Sequence, residues 1–542
     1  MQGLMMDYPL TLTHLLERSA KLFGRKEIAS KFPGAMHRYS YADFHRRVHA
    51  VAHALQRLGV RPGDRVGTLC WNSFRHLELY FAVPCYGAVL HTLNLRLPSD
   101  QLAFIINHAE DRVIFVDASL VPILESIRDQ IPTVKHFVIM PDEKLEQHQL
   151  EPASDYEQLA ASSVGEAYTW PELDETAAAA TCYTSGTTGN PKGVLYTHRA
   201  IFLHSFALAM ADAFGICESD TILQIVPMFH ANGWGIPFAA LMTGSKIVLT
   251  GRQLQPVDIA ALIQSERVTF TAGVPTIWIG LYGFLETHPH DLSTVRAIVC
   301  AGSAMPRQFI ELYEKTFGVH FRLAWGMTET TPIATFMALK DDLQGLAEKE
   351  RFDLLARHGL PLAGVDIRIV DAEGKELPWD GTTMGELQTR GPWITSGYYN
   401  DPRSDHSFVD GWFRTGDVAT IDANGYMQIM DRTKDLVKSG GEWISSVDLE
   451  NAIMAHPKVM EAAVIAVFHP KWQERPLACI APLEQYRGDI TKQEILEFLS
   501  ERVAKWWLPD DVVFLEAVPK TSVGKFNKRA LREQFQDYVL PL

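Results

Sequence analysis

The sequence lacks any uninterrupted apolar run of membrane-spanning length, although 47% of its 542 residues are hydrophobic. Its start, from Met1 to Leu16, also lacks a basic region followed by an apolar stretch, and Asp7 and Glu17 would interrupt a signal peptide. These absences argue against a transmembrane segment and a secretory leader. A globular protein of the cytoplasm is therefore expected.

Cysteine and positive charge are scarce as well. The six cysteines lie far apart, with no CxxC pair and no histidine at metal-ligand spacing, so reduced and mostly buried thiols are expected. Lys and Arg total 50 against 65 Asp and Glu, which gives a formal net charge of -15. This balance argues against nucleic-acid binding, which needs a broad basic face, and anionic ligands would need local sites.

The length predicts two or more domains, because single cores rarely grow beyond about 250 to 300 residues. Apolar periodicity first indicates alternating helices and strands: a helix in Ala42–Val60, a strand at Arg65–Cys70, a helix at Arg75–Tyr86, a strand at Ala88–Leu93 and a helix at Ser99–Ala109. Further strands are predicted at Thr221–Val226, Lys246–Thr250, Val268–Ala272 and Arg296–Ala301. Such alternation predicts an α/β fold with two mainly parallel sheet layers.

The pattern changes twice in the second half of the chain. Between Gly364 and Gly425, short β-rich pieces broken by Gly and Pro predict a β-rich subdomain. Beyond Asp431, two helices alternate with two strands, as in a small α+β domain: a helix from Ser446, a strand at Glu461–Val467, a helix at Lys492–Ala504 and a strand at Asp511–Leu515. We therefore divide the chain into residues 1–431 and a mobile domain of residues 432–542, with a hinge near 432–435.

The strongest local motif runs from Thr184 to Gly193 with the sequence TSGTTGNPKG. Its three glycines, four hydroxyl side chains and Lys192 would place many N–H and O–H donors around phosphate oxygens. It is not a Walker A loop, because Asn190-Pro191 follows Gly189 and Lys192 precedes Gly rather than Ser or Thr. The alternative interpretation is a flexible surface turn without a function, but such turns seldom combine so many hydroxyls with a lysine.

With this loop, the chain resembles the adenylate-forming superfamily of acyl-CoA synthetases, luciferases and peptide-synthetase adenylation domains. Further motifs follow in the family's order over nearly the whole chain. The resemblance implies that the loop binds the phosphates of ATP, with Thr184 also serving catalysis and Mg²⁺. The implied phosphate-binding residues are Thr184, Ser185, Gly186, Thr187, Thr188, Gly189 and Lys192.

Two motifs resemble the family's adenine site. The turn Gly302-Ser303-Ala304 ends a predicted strand, and Gly302 would let the base edge approach closely. The segment Trp325-Gly326-Met327-Thr328-Glu329 resembles the motif in which an aromatic ring packs on adenine, Thr328 meets the α-phosphate and Glu329 binds Mg²⁺. The family usually has Tyr at position 325, so Trp325 preserves stacking but alters the hydrogen bonding.

The remaining nucleotide residues come from both predicted domains. Asp417 resembles the carboxylate that accepts bonds from both ribose hydroxyls, and Arg432 resembles its partner at the junction. Lys525 resembles the mobile lysine that reaches the substrate carboxylate and the α-phosphate, although a lone lysine near a C-terminus is usually solvated.

Two further segments resemble the acid and coenzyme A sites. In PMFHANGW, which ends at Trp234, His230 is implied to line the carboxylate end and Trp234 to be a wall or gate of an acyl tunnel. The segment KSGGEW resembles the loop that swings in for thioester formation, and its glycines would let backbone line a narrow channel. The implied coenzyme A residues are Lys438, Gly440, Gly441, Glu442 and Trp443.

These motifs imply an AMP-forming ligase that adenylates a medium- to long-chain fatty acid and transfers the acyl group to coenzyme A, with ATP, Mg²⁺ and coenzyme A as cofactors. A coenzyme A ligase for a short sulfur-containing acid, such as a methylthio-propionate, is the main alternative. An amino-acid adenylation domain fits less well, because no acidic residue follows Phe229. A non-catalytic nucleotide sensor is disfavoured by Glu329 and Lys525. The expected partners are these small molecules, and a homodimer is the assembly considered.

Overall fold

The computed structural model describes residues 1, 3–145, 147–163, 165–184, 190–439, 442–521 and 525–540. Its first sheet has seven strands and is mostly parallel, with only the pair that flanks the hydroxyl-rich loop antiparallel. In spatial order its strands are Ala153–Asp155, His136–Met140, Asp111–Asp117, Arg65–Leu69, Val89–Thr92, Ala178–Tyr183 and Gly193–Thr197.

The second sheet has nine strands, and its central strands are parallel. In spatial order they are Leu360–Pro361, Ile333–Phe336, Phe321–Gly326, Ala297–Cys300, Phe270–Gly273, Thr221–Gln224, Lys246–Leu249, Glu27–Phe32 and Ala35–Ser40. The predicted pair of mainly parallel layers is therefore confirmed. The strand predicted from Val268 begins two residues later, at Phe270. Val268 and Thr269 connect it to the preceding helix, whose C-cap is Arg267.

Helices lie between the two sheets and on their outer faces. Phe81 and Phe238, from two of the inner helices, have ring centroids 5.6 Å apart and share one apolar core with Val66 and Ile247 of the two sheets. The helices of this part are Leu12–Phe23, Tyr41–Arg57, Phe74–Tyr86, Ser99–Ala109, Val121–Glu125, Tyr156–Ala161, His198–Ala209, Ile236–Thr243, Pro256–Glu266, Pro275–Thr287, Arg307–Phe317 and Glu348–Leu355. Within the described residues, no helix is long and apolar enough to span a bilayer.

Local sequence explains where the predicted amphipathic helix begins. The Ser40 side chain accepts the Asp43 backbone N–H, and the Asp43 carboxylate accepts the Ser40 N–H, so a capping box satisfies two end donors before Tyr41. Along Tyr41–Arg57, the predicted apolar stripe, which includes Phe44, Val48 and Leu55, is buried.

The β-rich subdomain is a five-stranded antiparallel sheet. Its strands are Asp366–Val370, Gly385–Arg390, Phe408–Val409, Trp412–Ile421 and Met427–Arg432. Asp417 and Arg432 are register partners on adjacent strands, so the sheet brings these two predicted nucleotide residues together.

The C-terminal part has its own five-stranded sheet and its own apolar cores. Its strands are Val437–Ser439, Glu442–Ile444, Val459–His469, Gln473–Pro482 and Asp511–Phe514, and its helices are Ser446–Met454, Lys492–Ser500 and Lys528–Gln534. The helix predicted to reach Ala504 ends at Ser500, and a short 3₁₀ turn follows at Lys505–Trp507, before Pro509. The α+β character is confirmed, while the boundary at residue 432 stays a prediction.

Candidate active site at the domain junction

The base of the hydroxyl-rich loop is closed by Thr184 and Lys192. The Thr184 backbone N–H donates to the Lys192 carbonyl at 2.9 Å, and the Lys192 N–H donates to Thr184 Oγ1 at 3.1 Å. Tyr183 and Gly193 are register partners on the two strands that lead into and out of the loop. The predictions for Ser185, Gly186, Thr187, Thr188 and Gly189 fall outside the described residues.

Glu329 lies in a short 3₁₀ turn that follows the strand Phe321–Gly326, and it is buried. Its Oε1 accepts the Tyr398 O–H at 2.7 Å. Burial raises the pKa of Glu329 above the usual carboxyl range, and the Tyr398 hydrogen bond opposes that rise. One hydrogen bond leaves further lone pairs on both carboxylate oxygens, and these could ligate a cation.

Tyr398 is a site residue that sequence reasoning missed. Besides its bond to Glu329, its ring lies 4.2 Å from Lys192 Nζ, at cation–π distance. Tyr398 therefore touches both the predicted metal carboxylate and the predicted phosphate lysine. The contact joins residues 69 positions apart, so no local pattern points to it.

A cavity of about 520 Å³, called here the junction cavity, lies between the large and small domains. Its large-domain wall includes Gly302, Ser303, Ala304, Trp325, Gly326 and Met327. Gly302 has a φ of +92°, which favours glycine, and Gly326 has no room for a side chain, since a Cβ would lie 1.9 Å from the Pro332 carbonyl oxygen. The two predicted adenine motifs thus form one wall of the junction cavity.

The predicted ribose residues lie on the same cavity. Arg432 Nε is 3.4 Å from Asp417 Oδ1, and Trp325 Nε1 donates to Asp417 Oδ2 at 2.9 Å. Asp417 and Trp325 are both buried, whereas Arg432 is partly exposed. The carboxylate therefore accepts a hydrogen bond at Oδ2 and has a cationic neighbour at Oδ1.

A second space of about 430 Å³, called here the loop-side cleft, brings the four predicted catalytic residues together. Thr184, His230, Glu329 and Lys525 all line it, although they come from four separate segments. Gly302, Arg432 and Lys525 also line the junction cavity, so the two spaces are neighbours. Such convergence is what phosphoryl and acyl chemistry needs, because reacting groups must be held in one place.

Lys525 reaches this cleft from the small domain. A Cβ placed on Gly302 would lie 3.5 Å from Lys525 Cε, so the Lys525 side chain closely approaches the Gly302 backbone. Burial, together with the charge of Arg432, lowers the pKa of Lys525 to about 8. Its ammonium is therefore present at neutral pH and is lost at moderately alkaline pH.

His230 and Trp234 line the same cleft, at the end of a strand region that turns into a helix. Burial, with contributions from Lys525 and Arg96, lowers the pKa of His230 to about 3. His230 is therefore a neutral hydrogen-bonding group rather than a cation.

The buried Trp234 belongs to a left-handed turn in which successive residues have positive φ. The φ values are 35° at Ala231, 39° at Asn232, 60° at Gly233, 59° at Trp234 and 73° at Gly235. Sequence reasoning did not predict this strained geometry.

Among the described residues of the predicted coenzyme A segment, neither Lys438 nor Trp443 lines either space. Lys438 and Trp443 are exposed and are register partners across the hairpin Val437–Ser439 and Glu442–Ile444, and neither lines the junction cavity or the loop-side cleft. Gly440 and Gly441 lie outside the described residues, as does the side chain of Glu442. Among the described residues, the structure thus brings the predicted nucleotide residues together with Lys525 but not with Lys438 or Trp443.

Comparison with family models identifies the class. The AMP-binding enzyme family matches residues 16–399, and the AMP-binding enzyme C-terminal domain matches residues 448–525. The chain belongs to the AMP-binding enzyme family, and the resemblance found in the sequence is confirmed.

Individual relatives narrow this class to coenzyme A ligases. A long-chain-fatty-acid–CoA ligase of Thermus thermophilus is 50% identical, over 98% of this chain and 97% of the relative. A 3-methylmercaptopropionyl-CoA ligase of Ruegeria lacuscaerulensis is 43% identical over 99% of each chain, and a medium-chain-fatty-acid–CoA ligase of Ectopseudomonas oleovorans is 41% identical over 100% of this chain and 98% of the relative. The anthranilate CoA ligase AuaEII, solved with anthranoyl-AMP, superposes with a TM-score of 0.86 at 25% identity, over 98% of each chain.

Proposed function

We propose that this AMP-binding enzyme is an acyl-CoA ligase that adenylates a medium- to long-chain fatty acid with ATP and transfers the acyl group to coenzyme A, releasing AMP and pyrophosphate. The observation that carries the proposal is the shared lining of the loop-side cleft by Thr184, His230, Glu329 and Lys525. The fatty-acid ligases at 50% and 41% identity support the acid class.

Adenylation must overcome the low reactivity of a carboxylate, which carries negative charge and has no good leaving group. In the proposed first step, a carboxylate oxygen attacks the α-phosphorus of ATP and pyrophosphate leaves. The Lys525 ammonium lies where it can neutralise charge on the carboxylate and the α-phosphate, and the neutral His230 can orient the acid by hydrogen bonding. The loop from Thr184 to Lys192 would hold the departing phosphates.

A divalent cation fits the chemistry of this cleft. Glu329 offers a hard carboxylate oxygen beside its bond to Tyr398, and Thr184 offers a hydroxyl on the same cleft, so these residues would hold Mg²⁺ with the phosphates. When bound, Mg²⁺ would neutralise negative charge on the triphosphate. Tyr398 keeps the Glu329 carboxylate oriented for this role.

The second step is assigned to a different pose of the small domain. Lys438, Gly440, Gly441, Glu442 and Trp443 would replace Lys525 at the site and guide coenzyme A, whose thiol attacks the acyl carbonyl and displaces AMP. Residues 432–435 are the proposed hinge between domains 1–431 and 432–542. In support, Lys525 lines the loop-side cleft while Lys438 and Trp443 remain exposed, so one rigid pose could hardly serve both segments.

A short sulfur-containing acid is the second candidate substrate. The 3-methylmercaptopropionyl-CoA ligases from two Ruegeria species are 43% identical to the chain over 99% of its length. A tunnel discriminates one methylene by only about 1 to 3 kcal/mol, so a few lining residues near Trp234 can shift the preference between these acids.

The test is a screen of straight-chain acids from acetate to oleate, together with 3-methylthiopropionate, measuring acid-dependent AMP formation with ATP, Mg²⁺ and coenzyme A. Activity should rise from acetate toward medium or long chains, because each buried methylene contributes about 0.8 kcal/mol. An optimum at acetate would contradict the fatty-acid proposal, an optimum at the methylthio acid would favour the second candidate, and no acid-dependent turnover would favour a nucleotide sensor.

Trp234→Ala should broaden the chain-length profile of the enzyme. Trp379→Ala is the control and should not broaden it, because the Trp379 indole is exposed and lines neither the junction cavity nor the loop-side cleft. The cytoplasmic location and the homodimer stay predictions.

A further inference from the structure

Trp325 and Asp417 form a buried bond that joins two sheets. Trp325 is the penultimate residue of the strand Phe321–Gly326 in the nine-stranded sheet, and Asp417 lies on the five-stranded sheet of the β-rich subdomain. The indole Nε1–H donates to Asp417 Oδ2 at 2.9 Å, and each residue is 7% exposed. The aromatic ring predicted to pack on adenine therefore also holds the carboxylate predicted to bind ribose.

This bond restricts how the carboxylate can turn. The indole takes one acceptor position on Oδ2, and Arg432 Nε lies 3.4 Å from Oδ1. The Asp417 backbone N–H donates to Thr415 Oγ1 at 3.0 Å, which fixes the main chain at the same point. Each carboxylate oxygen keeps a further lone pair, and two hydroxyl donors on adjacent carbons, as in ribose, can use one on each oxygen.

We propose that Trp325 is a positioning residue for Asp417 and thereby makes the nucleotide site selective for a ribose that carries both the 2′- and the 3′-hydroxyl. The inference rests on the proposed function, since it assumes that Asp417 faces the ribose of an adenine nucleotide. A phenylalanine at position 325 would keep an aromatic face for the base but would remove the donor to Oδ2. The carboxylate would then rotate or take up water, and its two-point contact with ribose would weaken.

The experiment compares ATP, 2′-deoxyATP and 3′-deoxyATP as substrates for acid-dependent pyrophosphate release by wild type and Trp325→Phe. In the variant, kcat/KM for ATP should fall about tenfold, because a hydrogen bond to a charged group is lost. The values for the two deoxynucleotides should change little, so the selectivity ratio should also fall about tenfold. Trp325→Tyr, which places its hydroxyl elsewhere on the ring, should lose selectivity in the same direction and serves as a second variant if Trp325→Phe does not fold.

A matched control is Trp393→Phe. The Trp393 indole is also buried and donates to the Ile333 carbonyl at 3.0 Å, but it lines neither the junction cavity nor the loop-side cleft. Its removal should leave the selectivity ratio unchanged, even where it lowers stability. A purely structural role for Trp325 would lower all three kcat/KM values equally, and that result would overturn the inference.

Equilibrium binding separates this inference from the proposed function. The dissociation constants of AMP, 2′-deoxyAMP and 3′-deoxyAMP, measured by calorimetry on wild type and Trp325→Phe, need no acid and no turnover. Loss of selectivity in the variant would support the role of Trp325 even if no acid substrate were found. Equal weakening of all three ligands would overturn the role of Trp325 even if fatty acids were efficiently activated.

Discussion

The nucleotide-binding residues of the large domain differ from the two functional segments of the small domain in how far they are assembled. Glu329, Asp417 and Trp325 are buried and already hydrogen-bonded to neighbouring side chains. In the small domain, Lys525 enters the loop-side cleft while Trp443 is 39% exposed and lies outside it. In the proposed cycle, the large domain presents a fixed site, and the pose of the small domain determines which of the two steps that site carries out.

The largest effect should come from removing the small-domain cation that is in place. Lys525→Ala should lower synthesis of acyl-CoA from free acid and ATP by about a hundredfold or more, because an oriented charge is lost from the transition state. Lys520→Ala is the matched control, because Lys520 lies on the same segment as Lys525 but does not line the loop-side cleft. Its Nζ pairs instead with Glu461 Oε1 at 2.5 Å. Equal losses in both variants, measured as AMP formation, would contradict the assigned role.

A smaller effect is expected in the fixed site. Glu329→Gln keeps the shape of the side chain but removes its negative charge, so the Mg²⁺ concentration for half-maximal adenylation should rise about tenfold. Glu386→Gln serves as the control, because Glu386 also lines the cleft but pairs with the exposed Arg414 at 2.7 Å. An unchanged Mg²⁺ titration for Glu329→Gln would refute the assignment.

The pH dependence should distinguish the mobile lysine from the fixed residues. Lys525 is charged below its pKa of about 8, so kcat/KM for ATP should be at its maximum below this pH and should fall as the pH rises through about 8. Arg432→Gln removes the neighbouring positive charge that helps to lower this pKa, so the alkaline limb should move to higher pH. The limb should be missing from thioester formation with presynthesised acyl-AMP, and its presence there would contradict the model.

Sequence reasoning predicted the large-domain architecture and named candidate site residues, but it did not predict the contacts among them. Apolar periodicity is local, so strands such as Ala297–Cys300 could be placed, and motifs at strand ends could be expected to meet at one edge. The Tyr398 bond to Glu329 and the Trp325 bond to Asp417 join residues 69 and 92 positions apart, so they depend on how distant segments of the chain pack together. The left-handed turn at Trp234 was also missed, because non-glycine residues rarely adopt positive φ.

The smallest predicted effect concerns one of the hydrogen bonds that join the small domain to the large domain. Gln308 Nε2, on a large-domain helix, donates to the Met454 carbonyl of the small domain at 3.1 Å. Rotation about residues 432–435 would break this bond, so Gln308→Ala should change the ratio of the two half-reaction rates about two- to threefold in favour of thioester formation. Gln493→Ala removes an amide that bonds within the small domain, to Glu497, and should leave the ratio unchanged. A shift in the opposite direction would show that this contact does not hold the adenylation pose.

The most direct test measures both half-reactions separately in Lys525→Ala and Trp443→Ala. Adenylation is followed as acid-dependent pyrophosphate release without coenzyme A, and thioester formation as acyl-CoA produced from presynthesised acyl-AMP and coenzyme A. The account predicts opposite losses: Lys525→Ala should fail in adenylation and form thioester at a near-normal rate, while Trp443→Ala should adenylate normally and be slow in thioester formation. If both variants lost both half-reactions to the same extent, alternation of the small domain over a fixed nucleotide site would be wrong for this protein.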